Sequence, residues 1–225
     1  MISQGVVFVS EMSAGLEPDA TVLYDLSPYR NNGAMKGSGE PNAVQLDSGL
    51  WVWDFDGIDD YIDVPDANHL DSPYRTVECW ANLEYTAPGG TALKIVMLKE
   101  AAYQGGFAGD YGTANVVKIQ ARFKIAGDGW VVQSAVEVQG AWHHLVVTYD
   151  GANIRYYIDG TEDAASPQAK VGTIDVNSDA LHIGGGVANR YAKGKIGGMR
   201  QLYYPLSDGQ VLNRYESTKH WFGIH

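Results

Sequence analysis

The run from Ala141 to Gly160 constrains the fold of this chain more than any other segment. It predicts two β-strands, Trp142–Tyr149 and Ile154–Ile158, joined by a short loop that opens with Asp150-Gly151. Successive side chains in a strand face opposite sides, so Leu145, Val147 and Tyr149 share one face while Val146 and Thr148 share the other. Ile154, Tyr156 and Ile158 repeat the alternation on the return strand. Asp and Gly tolerate turn dihedrals that other residues resist, and a second pair, Asp159-Gly160, closes the unit.

The same alternation recurs along the chain. Strands are predicted at Val22–Asp25, Trp51–Asp56, Tyr61–Val64, Thr76–Glu84, Leu93–Leu98, Val116–Phe123 and Gly129–Val138. Leu26–Gly33 reads as a turn-rich loop in which Asn31-Asn32-Gly33 supplies positive-φ positions. Gly105–Gly112 reads as a glycine-rich loop, but it lacks the Gly-Lys-Ser/Thr ending of a phosphate-binding loop and no helix follows it. Helical periodicity is convincing only near the C-terminus. There Ser207 is a natural N-cap, Asp208 suits the positive end of a helix, and Val211, Leu212 and Tyr215 recur at i, i+1 and i+4. The tail from Lys219 to His225 is apolar for a chain end and is expected either to fold back onto the domain or to dock on a partner.

The order and spacing of these blocks resemble a known family. Trp142-His143-His144 followed by Val147-Thr148-Tyr149-Asp150-Gly151, and the run Phe55-Asp56-Gly57-Ile58-Asp59-Asp60-Tyr61-Ile62-Asp63-Val64-Pro65, are similar to the signature segments of laminin G-like domains in the concanavalin A-like superfamily. Trp80 in its strand, Leu181-His182-Ile183-Gly184 and Lys193–Tyr203 resemble further family strands, so the likeness covers roughly residues 22–217. It implies an all-β fold: a two-sheet antiparallel jelly-roll sandwich with one short C-terminal helix. A single domain over 1–225 is expected, with an N-terminal arm and the apolar tail outside the core. One departure stands out. The family's last strand commonly reads Ile-Asp-Glu-aliphatic-Arg, whereas this chain has Ile196-Gly197-Gly198-Met199-Arg200, so both acids are missing.

Size and charge narrow the function. A chain of 225 residues with 45% hydrophobic content can bury a substantial core. A net charge of −11 argues against binding nucleic acid through phosphate neutralisation. Cys79 is the sole cysteine, which excludes an intrachain disulfide, and Val77, Ala81 and Leu83 on its own face mark it as a small buried hydrophobe. The N-terminus lacks the basic start and long apolar stretch of a secretory signal, and no segment reaches membrane-spanning length.

Catalytic patterns are weak. Glycoside hydrolysis usually needs two carboxylates roughly 5–10 Å apart. The glucanase pattern Glu-aliphatic-Asp-x-x-Glu is absent, and Glu78 and Glu84 share a strand face about 20 Å apart. His143 and His144 must face opposite sides, and one of them is expected to pack or hydrogen-bond inside the sandwich. Calcium is the more serious prospect, because it takes six to eight oxygens from irregular loops. Asp25, Asp56 and Asp59, with Asn31 and Asp60, lie in two loops that the fold could bring together, and the resemblance implies structural calcium in some relatives. At most one ion is expected, since the glycines at 197 and 198 remove acids from the last strand. Glycan binding would use exposed aromatics for stacking, and Tyr103, Tyr111, Trp130 and Tyr191 are the candidates near loops or grooves.

The expectation from sequence is therefore a non-enzymatic structural or adhesion module. A phage or virus particle component (a decoration, tail or capsid-associated protein) is favoured because one domain fills the run from Met1 to His225, no export signal is present and the apolar tail could dock on neighbouring copies or virion proteins. Surface glycans are the other expected partner. The alternative is a carbohydrate-binding, lectin-like module of a bacterial extracellular protein.

Overall fold

A computed structural model describes residues 5–10, 18–85, 93–99, 104–110, 116–187 and 189–225. In chain order the strands are β1 (Val6–Val9), β2 (Val22–Leu23), β3 (Gly33–Lys36), β4 (Asn42–Gln45), β5 (Trp51–Asp56), β6 (Tyr61–Val64), β7 (Arg75–Leu83), β8 (Leu93–Lys99) and β9 (Gln104–Asp110). They continue with β10 (Lys118–Ile125), β11 (Asp128–Glu137), β12 (His143–Tyr149), β13 (Asn153–Ile158), β14 (Thr161–Glu162), β15 (Gln168–Ala169), β16 (Leu181–Ile183) and β17 (Lys193–Leu202). Helix α1 (Asp208–Thr218) follows and runs into a 3₁₀ turn at Lys219–Phe222. Among the described residues, no helix is long and apolar enough to cross a membrane.

Two sheets result. The first runs β14-β13-β12-β7-β17-β5-β4, with β1 also on β17 and β15 on β13; the second runs β11-β10-β9-β8-β16-β6-β3-β2. All pairings between these strands are antiparallel, as the expected jelly-roll sandwich requires. The hairpin at 142–158 lies at the heart of the first sheet. Leu145 sits between Cys79 and Ile158, and Val147 between Val77 and Tyr156. Their faces meet Ile62, Val64, Ile119, Ala121, Phe123, Leu181 and Ile183 of the second sheet in one continuous core. Full burial of each such aliphatic side chain contributes about 1.5–3 kcal/mol, so the alternation read from sequence accounts for the layer's cohesion. Asp159 and Gly160 both adopt positive φ, the two-residue requirement of a type I′ turn, and so fold β14 back onto β13.

The structure departs from sequence expectation in four places. Of the Gly105–Gly112 loop expected from sequence, residues 105–110 are strand: β9 spans Gln104–Asp110 and sits between β8 and β10, and residues 111–112 fall outside the described residues. A Cβ on Gly106 would lie 2.2 Å from the Met97 carbonyl oxygen, so glycine there permits close strand approach and is no sign of a turn. Positive φ in the 26–33 loop falls on Arg30 and not on Asn31-Asn32-Gly33; Gly33 opens β3. The apolar stretch at the N-terminus is β1 and forms part of the first sheet. Leu212 is 47% exposed, leaving Val211 as the buried anchor of α1.

The helix itself is encoded locally. Ser207 Oγ accepts from the Gln210 amide while Gln210 Oε1 accepts from the Ser207 amide, a reciprocal capping box that satisfies two otherwise orphaned donors. Gly223 in the left-handed region ends the following turn. The tail folds back: Phe222 is buried and stacks on Trp80 with ring centres 4.3 Å apart. Helix and tail together cover the outer face of the first sheet.

Candidate functional site

Two groups of charged residues and one aromatic cleft stand out. The first group is the turn between β5 and β6, where one carboxylate oxygen each from Asp56, Asp59 and Asp60 lie within 4.8 Å of one another. These oxygens already have local partners. Asp56 Oδ1 accepts from the Ile58 and Asp59 amides, Asp60 Oδ2 from the Asp56 amide, and the Asp59 carboxylate from the Ser38 amide and hydroxyl. Burial raises the Asp60 carboxyl above its ordinary range, and the negative charges of Asp56, Asp59 and Asp54 push it further, against the Asp56 amide hydrogen bond that lowers it.

Asp25 does not belong to this group. Its two oxygens are filled by four donors: the amides of Val9, Ser27 and Asn31 and the Ser27 hydroxyl. Asn31 donates its side-chain amide to the Pro65 carbonyl. The five residues grouped by sequence are thus split. Three carboxylates from one turn, with their oxygens accepting backbone donors, fall short of the six to eight oxygens of a calcium cage. The missing acids of the last strand have a backbone reason: β17 bulges between Gly197 and Arg200, with Gly198 in the left-handed region.

The second group lies under α1. His143 and His144 do diverge. His143 Nδ1 is 2.8 Å from the Asp159 carboxylate at the hairpin end, whereas His144 is fully buried with Nε2 3.2 Å from Glu78 Oε1. The buried histidine lies beneath the helix on the outer face, not inside the sandwich, because α1 and the tail provide a second burial layer there. Arg214 of α1 reaches down to Glu78 Oε2 at 2.9 Å. Burial alone would raise the Glu78 carboxyl; the His144 hydrogen bond and charge, then Arg214 and Arg200, reverse this and hold it below its ordinary value. Glu84 is exposed and pairs with Lys193 at 3.0 Å, so it does not join Glu78 in an acid–base pair.

The aromatic cleft was not anticipated from sequence. It measures about 520 Å³ and is lined by Trp142, Trp221, Phe222, His220, Asp47 and Ser48, among others. The tail builds it: Trp142 packs at 4.8 Å on Phe222, and Ser48 Oγ in the β4–β5 turn donates to the Trp221 carbonyl at 2.5 Å. Both tryptophans remain half-buried and His220 and Asp47 are exposed, so the cleft has apolar walls with a polar rim. The available signal was the aromatic pair Trp221-Phe222 with His220 and His225 in a tail that had to pack somewhere.

Of the four aromatic candidates, Tyr191 is half-buried, 6.3 Å from Tyr61, which meets the His182 ring edge-on. Trp130 lies in β11 paired with Phe123. Tyr103 and Tyr111 fall outside the described residues.

Comparison with known proteins bears on the scaffold. A family model described as the concanavalin A-like lectin/glucanases superfamily matches residues 56–212. No curated protein sequence matches the chain. Among solved structures, the binding domain of Paraclostridial Mosquitocidal Protein 1 superposes with a TM-score of 0.74 at 12% identity, covering 98% of this chain and 55% of that one. Domain 4 of AbnA, a GH43 extracellular arabinanase from Geobacillus stearothermophilus, in complex with arabinotriose, gives 0.64 at 16% identity over 87% of this chain and 98% of that one. Trypanosoma rangeli sialidase gives 0.66 at 14% identity over 95% and 33%. The chain thus spans about half the length of the toxin domain and a third of the sialidase. At these identities the likeness is one of fold.

Proposed function

The chain belongs to the concanavalin A-like lectin/glucanase superfamily, and from that premise we propose that it is a carbohydrate-binding, lectin-like module without catalytic activity, its ligand held in the Trp142–Trp221 cleft. The cleft is the observation that carries this reading. Its volume of about 520 Å³ suits a small ligand, and indole faces stack on the apolar faces of sugar rings while rim groups meet hydroxyls. Asp47 is the one acidic side chain lining it among the described residues, whereas hydrolysis by the common route needs two carboxylates across the bond. The arabinanase domain, seen with arabinotriose, supports an oligosaccharide as the ligand class.

A glycan array followed by calorimetry on the best ligand tests the reading. Saturable binding that weakens at least tenfold in both Trp142→Ala and Trp221→Ala, with folding checked by circular dichroism, is expected. Absence of saturable binding, or binding untouched by both substitutions, would overturn it.

The particle-component reading rested partly on a tail free to dock on neighbours. That tail packs into its own domain through Phe222 on Trp80, so glycan binding is the function carried forward. The setting is a separate proposal: a phage or virus particle first, an extracellular bacterial protein second. Detection of the chain in purified particles by mass spectrometry supports the former, and its absence from them the latter.

A further inference from the structure

Arg200 and Arg214 line a second cleft, about 400 Å³, between β17 and α1, together with Tyr204, Gln210, Asn213 and Ser217. The two positive charges are unequally matched. Glu78 is the carboxylate beneath them, and both its oxygens are committed, Oε2 to Arg214 and Oε1 to His144. Arg200 sits across the ladder from Glu78 and is half-buried, yet among the described residues its guanidinium has no hydrogen bond or ion pair. The cleft therefore presents two guanidiniums against one carboxylate in a chain of net charge −11. Burial works against the Arg200 charge and Arg214 adds to the effect, with Glu78 compensating in part. A partly desolvated, unpaired guanidinium is costly, and its planar fork fits a carboxylate in bidentate fashion.

The cleft is larger than a bare carboxylate needs. Around its mouth, α1 presents the exposed amides of Gln210 and Asn213 and the Ser217 hydroxyl, groups suited to sugar hydroxyls. We propose that this cleft binds the carboxylate-bearing unit of an acidic polysaccharide, such as a hexuronate, with Arg200 pairing the carboxylate. The sugar half of the proposal rests on the glycan-binding reading above; the anion half rests on the unpaired guanidinium alone.

An NMR titration at constant ionic strength, following arginine Nε–H and Asn213 amide signals, tests it with methyl glucuronide, methyl glucoside and acetate as probes. The glucuronide is expected to bind at one saturable site, at least tenfold more tightly than acetate or the glucoside. Arg200→Gln and Asn213→Asp, the second placing a negative charge at the exposed mouth, are each expected to weaken it at least tenfold, while Trp142→Ala leaves it unchanged. No saturable glucuronide binding, or binding retained in both variants, would overturn the proposal, and acetate binding as tightly as glucuronide would overturn its sugar half. Neutral glycans held at the Trp142 cleft without glucuronide binding here would sink this proposal alone. Glucuronide binding here without any neutral-glycan binding there would sink the earlier reading alone.

Discussion

Glu78 and Asp60 are both buried carboxylates, 4% and 2% exposed, yet they sit in opposite electrostatic settings. Glu78 lies under α1 with His144 on one oxygen and Arg214 on the other, and its carboxyl is held below the ordinary value. Asp60 lies in a turn with Asp56 and Asp59 beside it, and its carboxyl is raised. Burial disfavours charge at both sites, so the sign of the neighbours decides the outcome. The helix-covered face stores stability in its charges, whereas the acidic turn pays a small penalty for its own.

The largest effect should come from breaking the helix-covered network. Glu78→Gln leaves Arg214 and His144 without the carboxylate they share, and removing one partner of a buried pair costs about 3 kcal/mol or more. A loss of that size should be read by urea unfolding at pH 7. A loss below about 1 kcal/mol would mean the network is solvated in solution. The pH dependence follows from the direction of the shift. A carboxyl held low in the folded state stabilises fully above its unfolded value, near the ordinary 4.5, and loses that contribution as pH falls through the folded value. The acid limb of the wild-type stability curve below pH 4.5 should accordingly be steeper than that of Glu78→Gln. Parallel limbs would break the contrast with Asp60.

Asp60→Asn should act with the opposite sign and a smaller size. The Asn side-chain oxygen can still accept from the Asp56 amide, while the like-charge repulsion disappears. A carboxyl raised in the folded state costs stability above its unfolded value and nothing well below it. The variant should therefore melt about 2 °C higher at pH 7, the scale of a sub-kilocalorie gain in a domain of this size, and match wild type near pH 3. A lower melting temperature at pH 7 would show that the charged form is needed in the turn.

The contrast also marks what could be read from the chain. The acidic turn is local: Asp56, Asp59 and Asp60 are close in sequence, and their clustering was visible at once. Asp25 is grouped with them from sequence because the fold could bring its loop against theirs, but the spacing Asp25-Leu26-Ser27 is that of a carboxylate folding back on its own backbone, as it does onto the Ser27 amide and hydroxyl. The hairpin faces were legible because Leu145, Val147 and the Tyr149 ring all enter the apolar interior, the Tyr149 hydroxyl alone reaching polar partners, the Lys170 and Gly172 carbonyls. Arg214 and Glu78 are 136 positions apart, and no period or spacing links them. Trp142 and Phe222 meet only because the tail turns back after α1, so the aromatic cleft was equally hidden. Glycines misled in both directions: Gly106 lies within a strand, and Gly198 makes a bulge where the family carries acids.

The smallest expected effect is that of calcium, and it is diagnostic because it is small. A bound ion would stabilise the folded state by an amount that grows with concentration, about 2.7 kcal/mol at a hundred times its dissociation constant. At that level the melting temperature would rise by several degrees. The turn offers three carboxylates, but Asp56, Asp59 and Asp60 already accept amide and Ser38 donors, and Asp25 is filled by Val9, Ser27 and Asn31. A cation would have to displace those donors, and the bulge at Gly197-Gly198 supplies no acid to compensate. Melting in millimolar calcium and in excess chelator should thus agree to within about 1 °C, a shift too small for a tightly held ion. A rise of several degrees that Asp56→Asn abolishes would overturn this, and would make the acidic turn, like the face beneath α1, a region where charge is answered by charge.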